Sequence, residues 1–241
     1  VAGENITDVV LVGAGIMSAT LGTLLKKLDP SLSMQVFERL DRAATESSDA
    51  WNNAGTGHSA FCELNYTPQA DDGSIDLSKA VRIAEQFELS KQFWSALVKA
   101  GELPNPEEFI RKVPHLAFVA GADNVSFLQQ RFEALVQNPL FEGMEFSTDH
   151  EVLRSWAPLL MQGRGNDETV AATRMAIGND VNFGKLTRTL LTELGNKPDV
   201  TKHFGQEVID FRHKDDGIWR IKIKDLESDE ERIERARFVF I

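Results

Sequence analysis

The sequence predicts an α/β fold in which a parallel sheet with helices against it is interrupted by a second, α+β segment. Three observations predict it. Asp8–Val12 (DVVLV) is a short continuous apolar run, as in a parallel strand buried on both faces. Gly13-Ala14-Gly15 follows at once and opens a helix-period segment, so strand, turn and helix come in the order of a βαβ unit. Far along the chain, Trp219, Ile221 and Ile223 alternate with Arg220, Lys222 and Lys224, the period-2 pattern of a strand with one solvated face.

The elements follow in order. Leu21, Leu24, Leu25 and Leu28 give the first helix, stopped by Asp29-Pro30, and Met34–Phe37 forms a second strand that ends in Glu38. The polar run Thr45–Pro68 carries neither period. Val81, Ala84, Phe87, Trp94, Leu97 and Val98 predict an amphipathic helix ending before Gly101, in which Phe87, Phe93 and Trp94 read as core. A strand over His115–Val119 and a helix with Leu128, Phe132, Leu135 and Val136 come next, closing near Pro139. Residues 142–174 are patchy and polar. Asn182 reads as the cap of a helix with Leu186, Leu190, Leu191 and Leu194 on one face and Gly195 as its stop. The rest is β: a strand over His203–Phe211, a turn at Lys214–Gly217 and an antiparallel meander. Asp225–Arg235 reads as a charged, solvated turn, and Arg237–Ile241 as a buried strand. The expected division is 1–75 and 179–241 for the two parts of the sheet domain and 76–178 for the insertion.

Gly13-x-Gly15-x-x-Ser18 is a variant of the G-x-G-x-x-G fingerprint, and Glu38 follows Ser18 by twenty residues. Gly13 allows the tight turn, Gly15 lets backbone approach a pyrophosphate, and the helix start supplies free N–H groups and a positive dipole end. Glu38 is placed to accept hydrogen bonds from a ribose diol, which disfavours a 2′-phosphate and hence NADP. Ser18 in the third glycine position is still small enough for close helix–strand packing. The pattern therefore predicts a Rossmann-like dinucleotide site and leaves FAD and NAD open.

Composition excludes several classes. A net charge of −11 over 241 residues argues against nucleic acid as partner and gives no polybasic attraction to an anionic membrane. The single cysteine, Cys62, leaves no intrachain disulfide and reads as a small apolar side chain. No apolar run reaches the roughly 20 residues of a transmembrane helix.

The polar loop favours a flavin, because an Asn-, Ser- and Gly-rich segment soon after the acid suits a cofactor that extends past the first βαβ unit. GAGIMSATLGTLLK, FERLDRAATESSDAWNNAGTGHSAFCELNYTP and GNDVNFGKLTRTLL together resemble the malate:quinone oxidoreductase family. The resemblance implies a glutathione-reductase-like, three-layer FAD-binding domain with an inserted α+β substrate domain. It implies oxidation of (S)-malate to oxaloacetate, FAD as cofactor, a membrane quinone as acceptor, and a cytoplasmic enzyme peripheral on the inner face of the membrane. Carried over residue by residue, it places Gly13, Gly15 and Ser18 on the ADP part and Glu38 on the ribose. Ser47 and Ser48 fall near the pyrophosphate, Asn53 and Gly55 beside the flavin, and the Val208 backbone at adenine. The family is longer than this chain, so the sequence reads as an N-terminal part expected not to turn over malate by itself.

Malate oxidation removes a hydride from C2 and a proton from the hydroxyl, so it needs a base and groups that hold two carboxylates. Within the loop, His58 is the side chain of the type suited to that base; the bland reading is a histidine that fixes the loop. Arg174 is either a carboxylate holder or half of a surface ion pair. Two other functions fit the same residues: FAD-dependent oxidation of another 2-hydroxy or amino acid, and a dinucleotide-binding module without chemistry.

Overall fold

The computed structural model describes residues 6–241, so the first five residues of the predicted 1–75 segment lie outside it. Along the chain come β1 (Thr7–Val12), α1 (Ile16–Leu28), β2 (Met34–Glu38), α2 (Ser78–Lys99), β3 (Ile110–Lys112), β4 (His115–Ala120) and α3 (Ala122–Leu135). They are followed by β5 (Glu145–Ser147), α4 (His150–Trp156), α5 (Pro158–Met161), β6 (Val170–Met175) and β7 (Asn179–Val181). The chain closes with α6 (Phe183–Gly195), β8 (Val200–Phe204), β9 (Gln206–His213), β10 (Trp219–Asp225) and β11 (Glu231–Phe240).

The chain forms two compact units. The first takes the residues up to Gly55, Val98–Phe109 and Asn182–Ile241; the second takes Thr56–Leu97 and Ile110–Val181. The sequence reading set these limits at 75/76 and 178/179. Composition is evenly polar through Gly55 and Thr56, so nothing in it marks the crossing. Backbone pairing does: Thr56 bridges to Asp180, and the Gly57 N–H donates to the Asn179 carbonyl.

In the first unit a six-stranded sheet runs β8-β2-β1-β11-β10-β9. β8, β2, β1 and β11 are parallel; β10 and β9 continue antiparallel from β11. Val9, Val10 and Leu11 are buried, each contributing about 1.5–3 kcal/mol on transfer from water. α1 buries the small residues Ser18, Ala19, Gly22 and Thr23, together with Lys26, whose Nζ donates to the Pro30 and Leu32 carbonyls, whereas Leu24 and Leu28 are exposed. The leucine period marked the helix correctly and its inner face incorrectly. The reason is close approach: a Cβ on Gly22 would meet Leu194 of α6 at 2.6 Å and Leu11 of β1 at 2.9 Å, so only small side chains fit on that side. α6 is as expected, with the Asn182 side chain accepting from the Lys185 N–H at 2.9 Å and all four leucines buried.

Two strand expectations change. The predicted single strand His203–Phe211 is two strands. Gly205, at φ +66°, turns the chain from β8, parallel beside β2, into β9, antiparallel beside β10. Part of the charged run, Glu231–Arg235, lies inside β11, where Lys222–Glu231 and Arg232–Glu234 pairs neutralise it. β11 is central in the sheet, yet Phe238 is half-exposed, so it is less buried than its apolar end suggests.

The second unit is α+β. β4, β6 and β5 form an antiparallel sheet in the order β4-β6-β5, and β3 pairs with β7. Leu128 and Leu135 of α3 are fully buried, with Ala117 and Ala171 of the sheet against the former and Phe61, Phe141 and Met175 in the cluster of the latter. Phe87 and Trp94 meet edge to face at 6.1 Å in the core of α2, as expected.

Two predictions follow from this packing. A Cβ at Gly178 would sit 2.5 Å from the Val113 carbonyl and 2.4 Å from the His115 ring. Because the carbonyl is backbone and holds its place, Gly178→Ala should destabilise the second unit by roughly 1–3 kcal/mol. A urea midpoint equal to that of the unaltered chain would refute this. In the first unit, the His203 ring stacks on Phe37 at 4.7 Å, and its Nε2 is buried without a partner. Burial holds His203 below its ordinary range, with Arg232 acting in the same direction and Glu234 against it. The unfolded chain takes up the proton near pH 6.5 and the folded one only at lower pH, so stability declines as pH falls from about 7 toward 5. His203→Phe keeps the stack and removes that component, so its urea midpoint should depend less on pH over this window. Identical pH slopes for both proteins would exclude His203 as the source.

Candidate functional site

The β1–α1 turn opens a cleft of about 370 Å³ in the first unit, lined by Gly13–Ser18, Glu38, Ala44–Ser48 and Phe240–Ile241 among others. Its floor is backbone. Gly13, at φ +88°, turns the chain while its N–H donates to the Phe37 carbonyl at 2.7 Å. Ala14 is held on both sides: its N–H donates to Glu38 Oε2 at 2.7 Å, and its carbonyl accepts from the Ala44 N–H at 3.1 Å. The second Glu38 oxygen accepts from the Leu40 N–H at 2.9 Å. Ala44 is itself at φ +59°, a left-handed conformation costly for alanine.

α1 starts without a side-chain cap at Gly15 and without an acid in its first turn. Its first intrahelical bond runs from the Ala19 N–H to Gly15, and Ser48 Oγ accepts from the Ile16 N–H at 3.0 Å. Among the described residues the Met17 and Ser18 amides have no protein acceptor, and both residues line the cleft at the helix N-terminus, the arrangement that receives an anion. An added Cβ on Gly15 would stand 3.5 Å from Ser48 Oγ, inside the space the turn leaves. The donor set and this space fit the diphosphate of a dinucleotide, and Glu38 keeps lone pairs for hydroxyl donors.

The loop after Glu38 is built to hold this turn. Asn53 Nδ2 donates to the Ser47 carbonyl, Asn53 Oδ1 accepts from the Gly55 N–H, and Asn52 Nδ2 donates to the Glu46 carbonyl. Ser48 is nearly buried, and a Cβ on Gly184 of α6 would lie 3.2 Å from its carbonyl. Gly184, the second glycine of the GNDVNFG motif, thus lets α6 close on Ser48.

The second half of the loop belongs to the second unit. His58 is exposed, and its Nδ1 lies 3.5 Å from Glu63 Oε1, an ion-pair distance too long for a good hydrogen bond. Beneath this stretch Arg131 of α3 is fully buried. Its Nε donates to Thr67 Oγ1 at 2.9 Å and its Nη2 to the Ala60 carbonyl at 3.0 Å, with longer bonds from both Nη atoms to the Phe61 carbonyl. Burial pushes the guanidinium down to about 10, so it stays charged at neutral pH, with Glu63 acting the other way. Burial likewise pushes the Cys62 thiol up to about 11, which makes it a packed, unreactive sulfhydryl.

Of the residues singled out from sequence, the structure brings Gly13, Gly15, Ser18, Glu38, Ser47 and Ser48 around one cleft. Asn53 and Gly55 stand outside its lining and take part in the loop's own hydrogen bonds. Val208 lies on β9, against the cluster of Phe37, Ile221 and Ile223, and does not line the cleft. His58 falls in the second unit. Arg174 pairs with Glu145 at 2.9 Å, the ion-pair alternative. Sequence reasoning missed Ala44 and Arg131. Ala44 carries no signal; Arg131 left one, a cation in the apolar stripe of α3.

A family model for malate:quinone oxidoreductase matches residues 5–241. A probable malate:quinone oxidoreductase of Flavobacterium johnsoniae is 57% identical over 235 residues, covering 98% of this chain and 47% of the relative. One from a Geobacillus strain is 57% identical over 238 residues, covering 99% and 47%. The chain thus spans about half the length of the curated relatives it matches. Among solved structures, glycine oxidase of Geobacillus kaustophilus is similar with a TM-score of 0.66 at 16% identity, covering 96% of this chain and 54% of that one. L-α-glycerophosphate oxidase of Mycoplasma pneumoniae, solved with FAD bound, gives 0.64 at 15% identity, covering 98% and 53%. These likenesses give the fold, the Rossmann-like α/β architecture expected from the glycine turn, and the matches along nearly its whole length make this chain a member of the malate:quinone oxidoreductase family.

Proposed function

We propose that the chain carries the FAD cradle and part of the substrate unit of an enzyme that oxidises (S)-malate to oxaloacetate and passes the electrons to a quinone. The observation that carries the cofactor half is the N-terminus of α1, which has no cap from Gly15 and no acid in its first turn, and whose Met17 and Ser18 line a cleft also lined by Glu38. Gly13, Gly15, Ser18, Ser47 and Ser48 would hold the diphosphate and Glu38 the ribose. FAD, when bound, supplies the acceptor for the hydride that leaves C2 of malate. His58 is the proposed base for the malate hydroxyl, its ring turned toward the Glu63 carboxylate. Membership of the family and the shared fold support this reading. A peripheral attachment to the membrane, where quinone resides, is part of the proposal; among the described residues no helix is long and apolar enough to cross a bilayer.

FAD binding to the purified chain, read by flavin fluorescence, tests the cradle. Gly15→Val places bulk against Ser48 and should abolish retention. Glu38→Gln gives up charge-assisted bonds worth about 1.5–3 kcal/mol, which is roughly a 10- to 100-fold weaker affinity. Unchanged binding in both variants would remove the cleft as the FAD site.

Malate-dependent dye reduction by a protein of the relatives' length that carries this sequence tests the chemistry. There, His58→Gln should lower kcat by about 10²–10⁴-fold while the flavin content stays constant. A kcat within a few-fold of the unaltered enzyme would dismiss His58 as base. Preference for another 2-hydroxy or amino acid would replace malate and leave the flavin reading standing; flavin that stays oxidised with every substrate would favour a binding module.

A further inference from the structure

We propose that Arg131 is a positioning residue for the His58–Glu63 pair: from α3 it ties the two ends of the Ala60–Thr67 stretch into the shape that carries Glu63 to His58. The inference rests on the proposed role of His58 for its catalytic consequence, and on geometry alone for the loop.

The stretch is short on bonds of its own. The Tyr66 and Thr67 amides and the Thr67 hydroxyl donate within it to the Glu63 and Leu64 carbonyls at 3.1–3.3 Å, and Ala60 sits at φ +59°. Neither fixes where its two ends lie relative to each other. Arg131 does. One planar fork reaches Ala60 and Phe61 at one end and Thr67 at the other, across 64 to 71 residues of sequence. Fork geometry holds direction as well as distance, which a lysine ammonium would not.

Stability alone is a poor account of this residue. It is fully buried, and among the described residues no carboxylate is bonded to it. A buried cation met only by carbonyls and a hydroxyl carries a desolvation cost that those bonds largely offset, so what it adds is the one conformation it specifies. Glu63 is the nearest candidate to profit. Its side chain is only 17% exposed, Oε2 accepts from the Cys62 N–H at 3.3 Å, and Oε1 has no hydrogen-bond donor, leaving His58 as its facing group. Arg131, through its bonds to the Ala60 and Phe61 carbonyls, sets the backbone that presents Glu63 to His58.

Hydrogen–deuterium exchange on the 241-residue chain reads the loop directly. Arg131→Ala should raise exchange across 58–67 by roughly tenfold or more and leave residues 9–18 of the cradle unchanged. Thr67→Val, which keeps the volume and removes both the acceptor for Arg131 and the Oγ1 donor to the Leu64 carbonyl, should do the same to a smaller degree and covers the case in which Arg131→Ala does not fold. In the protein of the relatives' length, Arg131→Ala should lower kcat by about tenfold or more with little change in KM or flavin content, and guanidinium at millimolar concentration should restore part of it. Arg131→Lys, a charge without the fork, should remain impaired. Unaltered exchange in 58–67 for Thr67→Val, or lost kcat that guanidinium does not restore, would overturn the proposal and leave Arg131 as scaffold. Absence of malate oxidation in the unaltered protein would instead strike the proposed function, and the exchange result would still decide the loop.

Discussion

The hold on Ala14 is the constraint on which the rest of the first unit depends. Its N–H is taken by Glu38 and its carbonyl by the Ala44 amide, so the β1–α1 turn is fixed by the end of β2 and by the loop that follows. A hydrogen bond to a carboxylate is worth about 1.5–3 kcal/mol, whereas the left-handed conformation of Ala44 costs about 1–2 kcal/mol. The first term outweighs the second. Turn, strand end and loop therefore act as one rigid piece, and the direction of α1 is set before any ligand arrives. Glu38, read from sequence as a ribose acceptor, is in the structure also a strut.

That rigidity bears on how an acidic chain can offer a site to an anion. A net charge of −11 acts over the whole surface and is screened within about 8 Å in physiological salt. The Met17 and Ser18 amides act at hydrogen-bond distance, from a helix end equivalent to roughly half a positive charge and without an acid in its first turn. At the cleft the local donors win. Global charge speaks to nucleic acid and membrane partners; it says nothing about a backbone cradle a few ångströms across.

Legibility in the sequence follows the same division between local and non-local causes. Strand β1, the glycine turn, Glu38, the Asn182 cap and the leucine face of α6 are local patterns, and each lies where its residues place it. The inner face of α1 is set by Leu194, more than 160 residues away, and so by a neighbour that periodicity cannot see. The break between β8 and β9 needs one glycine at positive φ in a run that otherwise alternates well. The crossing at Gly55–Thr56 depends on pairing with Asn179 and Asp180. Ala44 is least legible of all, because alanine has no preference for the conformation it adopts. At the candidate site, six of the cleft residues were readable because a helix start and a turn demand glycine, small residues and an acid at set spacings. Ser48 and Asn53 also bond protein backbone, a second role that their position in the sequence does not show.

Arg131 shows how such a non-local cause leaves a trace. On α3 it lies between Leu128 and Leu135, both fully buried, so the helical period asks for an apolar side chain there. An apolar residue would suffice if the opposing surface were another helix or a sheet face, because those satisfy their own backbone groups. What opposes it is the Ala60–Thr67 stretch, whose carbonyls and hydroxyl point inward and have few internal partners. Each left unpaired in the interior would cost roughly 1–3 kcal/mol, and together that exceeds what a leucine would gain over an arginine already satisfied by them. A cation inside an apolar stripe is therefore the mark of a helix that packs on irregular backbone. In this chain that backbone is the loop which carries His58.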